Sequence, residues 1–305
     1  MDNARDCVTK EIVEAEDLKL LAVVDTYGYQ CTGCETQAFP RSYRPENLLR
    51  AHFQIRDPHG PDCETEKESK VIAQGKRGSV QRELETSPGL SPARLQLIDT
   101  RIIVDPGLPR TEQQTQSVGR QDTMGNTARR EGRRAANSIR PICRAFLRFP
   151  YDRHLSLEVP GVTPTTYQTA FKKLRSEGLE RFAQARVFYG ELAWSQVVES
   201  PEHLTISLNA GEWKDEKLTP YQVIVHWLEW SAVARGRLKN ELEVARKEGM
   251  EAKKAKKGSR SYLFFIGNQD TNSPALFHVL DHRLICTLHD ELMFPSKKAV
   301  GTSAA

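Results

Sequence analysis

Residues 29–63 read YQCTGCETQAFPRSYRPENLLRAHFQIRDPHGPDC and hold three of the chain's six cysteines. Cys31 and Cys34 form a C-x2-C knuckle, a spacing that lets two thiolates converge on one tetrahedral ion while nearby backbone N–H groups support the sulfurs. His52 follows after seventeen intervening residues and Cys63 after ten more, which completes a Cys3His set. Such a shell has no open position for water, so the site it predicts is structural rather than catalytic, with Zn2+ as the expected cofactor. His59, separated from Cys63 by three residues, is the substitute for His52 as the histidine ligand. The competing reading is unrelated buried thiols and surface histidines.

Just upstream, Leu18–Asp25 (LKLLAVVD) has the composition of a strand, Tyr27-Gly28 that of a turn, and Tyr29 begins the return strand that delivers Cys31. Residues 1–17 read as a polar lead-in. A module of about this size buries too little apolar surface to fold alone, so zinc is expected to supply on the order of 10 kcal/mol of its folding free energy.

The order of a short strand pair, C-x2-C, a polar turn, His52-Phe53 and a further His and Cys resembles the N-terminal zinc region of the competence protein CoiA-like family. In that family a C-x2-C and an HF-x-H-type segment close one zinc site ahead of a nuclease domain. The resemblance covers about residues 15–66. It implies Cys31, Cys34, His52 and Cys63 as the ligands, and a bacterial or mobile-element setting. Gln54 and Ile55 stand where the family places Ala and His, and no nuclease signature follows. The resemblance therefore implies a module and carries no activity.

Beyond this module the composition changes twice. Residues 67–140 are dominated by Gly, Pro, Ser, Gln, Thr and Arg, a mixture too poor in large apolar residues to offset chain entropy, and read as a flexible basic linker. One island, Leu95–Val104 (LQLIDTRIIV), has strand character. The linker ends in RREGRRAANSIRPICRAFLR, where Arg129, Arg130, Arg133, Arg134, Arg140, Arg144 and Arg148 face the single Glu131. A phosphate-contacting arm and a solvated linker terminus explain this run equally.

Residues 141–295 form the third region, and 296–305 a disordered tail. Thr163–Thr165 offer helix caps ahead of Tyr167, Phe171 and Leu174 at helical spacing. Strands are expected at Arg186–Trp194, His203–Ala210 and Tyr221–Trp230, then a charged helix over Val233–Lys256, then strand segments at Ser261–Gly267 and Ala275–His289. The whole is an α+β chain, and this order is that of an OB-like barrel, a fold that binds oligonucleotides on one face. Trp213, beside Lys214, is the chosen base-stacking residue, and Lys253 and Lys254 at the helix end are candidate phosphate contacts. Rim packing and a solvated helix end are the bland alternatives.

The 305 residues are 38% hydrophobic and 28% charged, with a net charge of +4 that by itself neither requires nor excludes a nucleic-acid partner. The scattered Cys7, Cys143 and Cys286 fit a reducing compartment. No apolar run reaches the roughly 18 residues of a spanning helix, and the first residues are polar, so a cytoplasmic protein without membrane contact is expected. There is no P-loop or G-x-G-x-x-G, hence no expected nucleotide cofactor. No catalytic residue is assigned. The leading reading is a zinc-containing protein that binds single-stranded DNA or RNA through a basic arm and an aromatic β-face. A protein-binding adaptor is the alternative, and a Mg2+-dependent nuclease the third.

Overall fold

A computed structural model of the chain describes residues 1–21, 23–61, 63–86, 89–97 and 134–295. At the N-terminus, β1 (Asn3–Asp6) pairs antiparallel with β2 (Ile12–Glu14) and with β3 (Tyr29–Gln30), while β4 (Ala38–Arg41) and β5 (His52–Ile55) form a separate hairpin. Ala4, Leu18, Tyr29, Ala38 and Phe53 make a small core between them. The expected partner of Tyr29, Leu18–Asp25, forms no strand among its described residues. Ala15–Leu20 is a 3-10 helix that docks on the C-terminal region, and the residues read as a lead-in supply the strands instead.

The stretch read as a linker is built into the fold over its described part. Helices α1 (Glu64–Gly75) and α2 (Gln81–Thr86) follow Cys63 directly, and β6 (Arg94–Leu95) pairs in parallel with β7 (Ala135–Ala136). Val80, Leu84 and Leu95 are buried against α3 (Ile139–Arg148) and its neighbours. Few apolar residues are present here, but those few are spaced so that each reaches one shared core. Of the expected Leu95–Val104 strand, only Leu95 lies in a described strand; residues 98–104 lie outside the described residues, as does the tail 296–305.

The C-terminal region is organised by two sheets. After α4 (Tyr167–Ala170), the strands β8 (Phe171–Lys173), β9 (Val187–Glu191), β13 (Arg260–Phe265) and β16 (Ile285–Asp290) form one sheet in the order β16-β13-β9-β8. The other has the order β10-β11-β12-β15-β14, from β10 (Val198–Glu199), β11 (His203–Lys214), β12 (Lys217–His226), β14 (Asn268–Gln269) and β15 (Leu276–Val279). The middle strands of the first sheet are buried on both faces, which is why residues 187–189 and 262–265 read as short continuous apolar runs. Along β13, Tyr262 and Phe264 face the core shared with α3, whereas Leu263 and Phe265 face the core shared with the second sheet and α5 (Ala232–Lys254).

This arrangement corrects the OB-like expectation. The strand order was read accurately enough to suggest a barrel, yet the described strands fall into two open sheets and none closes on itself. The expected long helix after Thr165 is also shortened to the four residues of α4, because Phe171 is drawn into β8, where it stacks on Phe146 at a centroid separation of 4.0 Å. Among the described residues, no helix is long and apolar enough to cross a membrane.

Candidate metal centre

Cys31 leaves β3 fully buried, and its amide donates to the Thr36 carbonyl (2.8 Å), closing the tight loop that presents Cys34. The β4–β5 hairpin then spans the gap and returns the chain. Its exit places His59, and a turn in which the Cys63 amide donates to the Gly60 carbonyl (3.0 Å) places Cys63 at the start of α1. The Thr32 and Thr65 hydroxyls, 2.8 Å apart, tie the two ligand-bearing loops together. Arg5 donates from β1 to the Thr32 carbonyl at 2.6 Å, anchoring the first loop to the small sheet.

One ligand atom from each of Cys31, Cys34, His59 and Cys63 lies within 4.8 Å of all the others. His59 Nδ1 stands 3.5, 3.6 and 3.2 Å from the sulfurs of Cys31, Cys34 and Cys63, and the Cys31 and Cys63 sulfurs are 3.5 Å apart. A tetrahedral thiolate–imidazole site has edges of about 3.8 Å between sulfurs and about 3.6 Å between sulfur and nitrogen, so the cluster already has near the dimensions a metal ion needs.

Without a metal the thiols must share protons, and their environments divide that burden unequally. Burial opposes ionisation of Cys34, but hydrogen bonds from the Thr36 side chain and from the Gly60 and Thr36 amides, with His59, outweigh it and bring the thiol down to about 5. Burial pushes Cys63 up to about 11, reinforced by its contacts with Cys31 and Cys34 and only partly countered by the Glu66 and Thr65 amides. One ready thiolate beside a thiol that resists ionisation is the state that a divalent cation replaces, by displacing protons.

The histidine that the fold sets beside the three thiols is His59, named from sequence as the substitute, and not the first-choice His52. On β5 the side chains alternate, and Phe53 takes the inward position at 1% exposure. His52 consequently faces solvent, with Nδ1 3.2 Å from the Arg50 carbonyl. The signal that could have decided the matter was present: H-x3-C forms a second knuckle matching C-x2-C, whereas His52 sits next to an obligate core residue.

The second correction concerns the described part of the arginine run. Arg129, Arg130 and Arg133 lie outside the described residues, and the described members are engaged internally. Arg134 and Arg144 both pair with Glu14 at 2.9 Å, Arg148 pairs with Asp2 at 2.6 Å, and Arg144 lies 3.5 Å from Asp2. Arg140 is fully buried and paired with Glu241, which also faces Arg237 at 4.0 Å; Arg237 in turn meets Asp17 at 3.3 Å. Lys19 donates to Asn240 at 2.7 Å and faces Glu16. These pairs form a seam that fastens the N-terminal module to α3 and α5. Arg144 and Arg148 hold Asp2 well below the usual carboxylate range, although burial opposes them. Burial pushes Glu14 and Glu241 upward, but Arg144 and Arg134 in one case, and Arg140 and Arg237 in the other, win and leave both lowered.

The other expected contact residues are on the surface. Trp213 is 60% exposed on β11, with Lys214 beside it, and Lys253 and Lys254 are exposed at the end of α5. Trp227 and Trp230 are both buried, their N–H groups donating to Ser200 and Leu280 carbonyls. Trp194 was not singled out from sequence. It is 48% exposed and lies 4.1 Å, at its ring centre, from Lys253 Nζ. Comparison with protein families, with curated proteins and with solved structures finds no match to this chain.

Proposed function

We propose that this chain is a zinc-containing nucleic-acid-binding protein. In this reading Cys31, Cys34, His59 and Cys63 hold one structural Zn2+, and the two-sheet C-terminal region takes single-stranded DNA or RNA. The observation that carries the reading is the convergence of three thiols and one imidazole within 4.8 Å, all four coordination positions being supplied by protein. When bound, the ion cross-links two loops and holds the thiols ionised. The chain's own contribution is to bury Cys31 and Cys63 and to tie both loops through Thr32 and Thr65. This part of the chain corresponds, in our reading, to the zinc region of CoiA-like proteins, with His59 as the ligand.

Strand binding is supported by exposed aromatics and cations on the C-terminal region: Trp213, followed along β11 by exposed Lys214, and Trp194, whose ring lies against Lys253. Exposed rings stack on bases of any sequence, and adjacent cations follow the phosphates. Arg134 and Arg140 are no longer part of this surface, since acids within the chain occupy them. A protein-binding adaptor is the second reading, favoured by Tyr27, Leu48 and Leu49, which expose apolar surface on the N-terminal module.

The test is metal analysis of the purified chain followed by fluorescence anisotropy with labelled single-stranded oligonucleotides across a salt series. One zinc per chain and an affinity that falls steeply with salt, weakened by Trp213→Ala, are the expected results. Flat anisotropy at low salt would overturn strand binding and leave the adaptor reading.

A further inference from the structure

Helix α5 packs on β13 and β16, and beneath its second half opens a cavity of about 430 Å³ that the end of β9 also lines. That volume is within the roughly 300–1,000 Å³ range of small-ligand sites. Its lining includes Glu191, Trp194, Asn209, Arg246, Lys253 and Arg260. Arg246 and Lys253 are seven residues apart on one helical face, with Gly249 between them. A side chain at Gly249 would come within 3.3 Å of the Ser261 hydroxyl, so glycine keeps the helix close to β13 and the cavity floor clear.

The cations here are used differently from those of the seam. Arg260 has a loose ion pair with Glu191 at 3.8 Å, and Lys253 rests on the Trp194 ring. Arg246 has neither an ion pair nor a hydrogen bond among the described residues, and its Nε is buried without an acceptor. A buried donor with no acceptor is a cost the fold carries alone, and a ligand oxygen removes it. Burial holds the Arg246 guanidinium below the ordinary arginine range, with Glu243 acting the other way, so an added anion is favoured there. Glu191 and Glu243 are the acids facing this group, against three cations. Trp194, still 48% exposed, offers a flat apolar surface at the same opening.

We infer that this cavity binds one nucleotide, its phosphate on Arg246, Lys253 and Arg260 and its base against Trp194. The inference rests on the nucleic-acid reading above and names where a strand, or a free mononucleotide, is gripped. Guanidinium groups present paired donors to phosphate oxygens, and indole stacks on a base.

The test is calorimetric titration of the full chain with adenosine 5′-monophosphate, adenosine and single-stranded oligo(dA), repeated with Arg246→Gln and Trp194→Ala. The monophosphate is expected to bind saturably and adenosine about tenfold more weakly, Arg246→Gln removing that difference and Trp194→Ala weakening both ligands about tenfold. Trp194 is exposed enough that its replacement leaves the fold intact, so it keeps the test decisive if Arg246→Gln destabilises the chain. Equal affinity for monophosphate and nucleoside, monophosphate binding indifferent to both substitutions, or no monophosphate binding overturns the inference. Oligonucleotide binding that ignores both substitutions overturns the cavity assignment and leaves the nucleic-acid reading standing. Monophosphate binding that responds to both, with no oligonucleotide binding, supports the cavity as a mononucleotide site and overturns strand binding.

Discussion

The Cys31–Cys63 centre and the arginine–acid seam both secure the N-terminal module, but they recruit their partners in different ways. The centre draws all four side chains from one continuous stretch of sequence. The seam joins residues far apart in the chain: Glu14 to Arg134 and Arg144 across 120 and 130 positions, Asp2 to Arg148 across 146, and Asp17 to Arg237 across 220. Soft ligands at fixed spacing specify one another, since few arrangements of three thiols and an imidazole fit anything except an ion. A charge carries no such specification. The same arginine serves a phosphate on an open arm or a carboxylate in a closed seam, and only the fold selects.

This contrast is broken most severely at the metal. Chelation, or Cys63→Ser, is expected to remove apparent binding free energy on the order of 10 kcal/mol. Hydrogen exchange should then show residues 1–61 losing protection while β9, β13 and β16 retain theirs. Unchanged protection would mean that the seam alone suffices. His59→Ala should reproduce the metal loss, whereas His52→Ala should keep the full zinc content; the reverse pattern would return the ligand to β5.

The seam comes next. Glu241→Gln leaves Arg140 buried with its principal partner gone, a change expected to cost about 3–5 kcal/mol in urea denaturation, because the uncompensated charge is stranded away from water. A loss comparable to that of a surface substitution would show that the pair is solvated in solution.

Acidity should separate two groups with opposite signs. Glu14 titrates below its ordinary 4.5 in the folded chain, so the stability it contributes is present above that pH and lost as pH falls through the lowered value. The stability gap between the native chain and Glu14→Gln should thus narrow on acidification. Glu68 behaves inversely: burial, aided by Asp2 and opposed by Arg148 and Arg134, pushes it up to about 7. Its contribution is present below 4.5 and fades as pH rises through about 7, so Glu68→Gln should stabilise at pH 8 relative to pH 4. Parallel pH trends in the two variants would contradict this assignment.

The smallest effect is expected on the outer surface. Lys214→Ala should leave stability within about 0.5 kcal/mol while reducing the salt dependence of oligonucleotide binding by about one phosphate contact. A stability loss beyond that would place Lys214 in a structural role.

Much of this was legible in the order of residues, and the failures have identifiable causes. The C-x2-C knuckle, the charged helix and the buried strands declared themselves through spacing and through apolar runs covered on both faces. His52 was mistaken for the ligand because its position relative to Phe53 matters only once β5 is a strand with an inner face. The supposed linker misled because composition averages over Val80, Leu84 and Leu95, three residues that count for more than their number when each reaches the same core. The barrel was suggested by order alone, and order does not say which strand edges meet.

What the sequence by itself determined is therefore local: a set of soft ligands within one stretch, the period of its strands, the length and charge of α5. What the tertiary structure decided is every choice between partners. It set His59 rather than His52 against the thiols, turned Arg134, Arg140, Arg144 and Arg148 inward onto Asp2, Glu14 and Glu241, and left Arg246 at a cavity with its Nε buried and without an acceptor. The physical reason is range: thiol ligation is satisfied by neighbours a few residues away, whereas a guanidinium's partner is fixed by which surfaces hydrophobic burial brings together, a property of the whole chain.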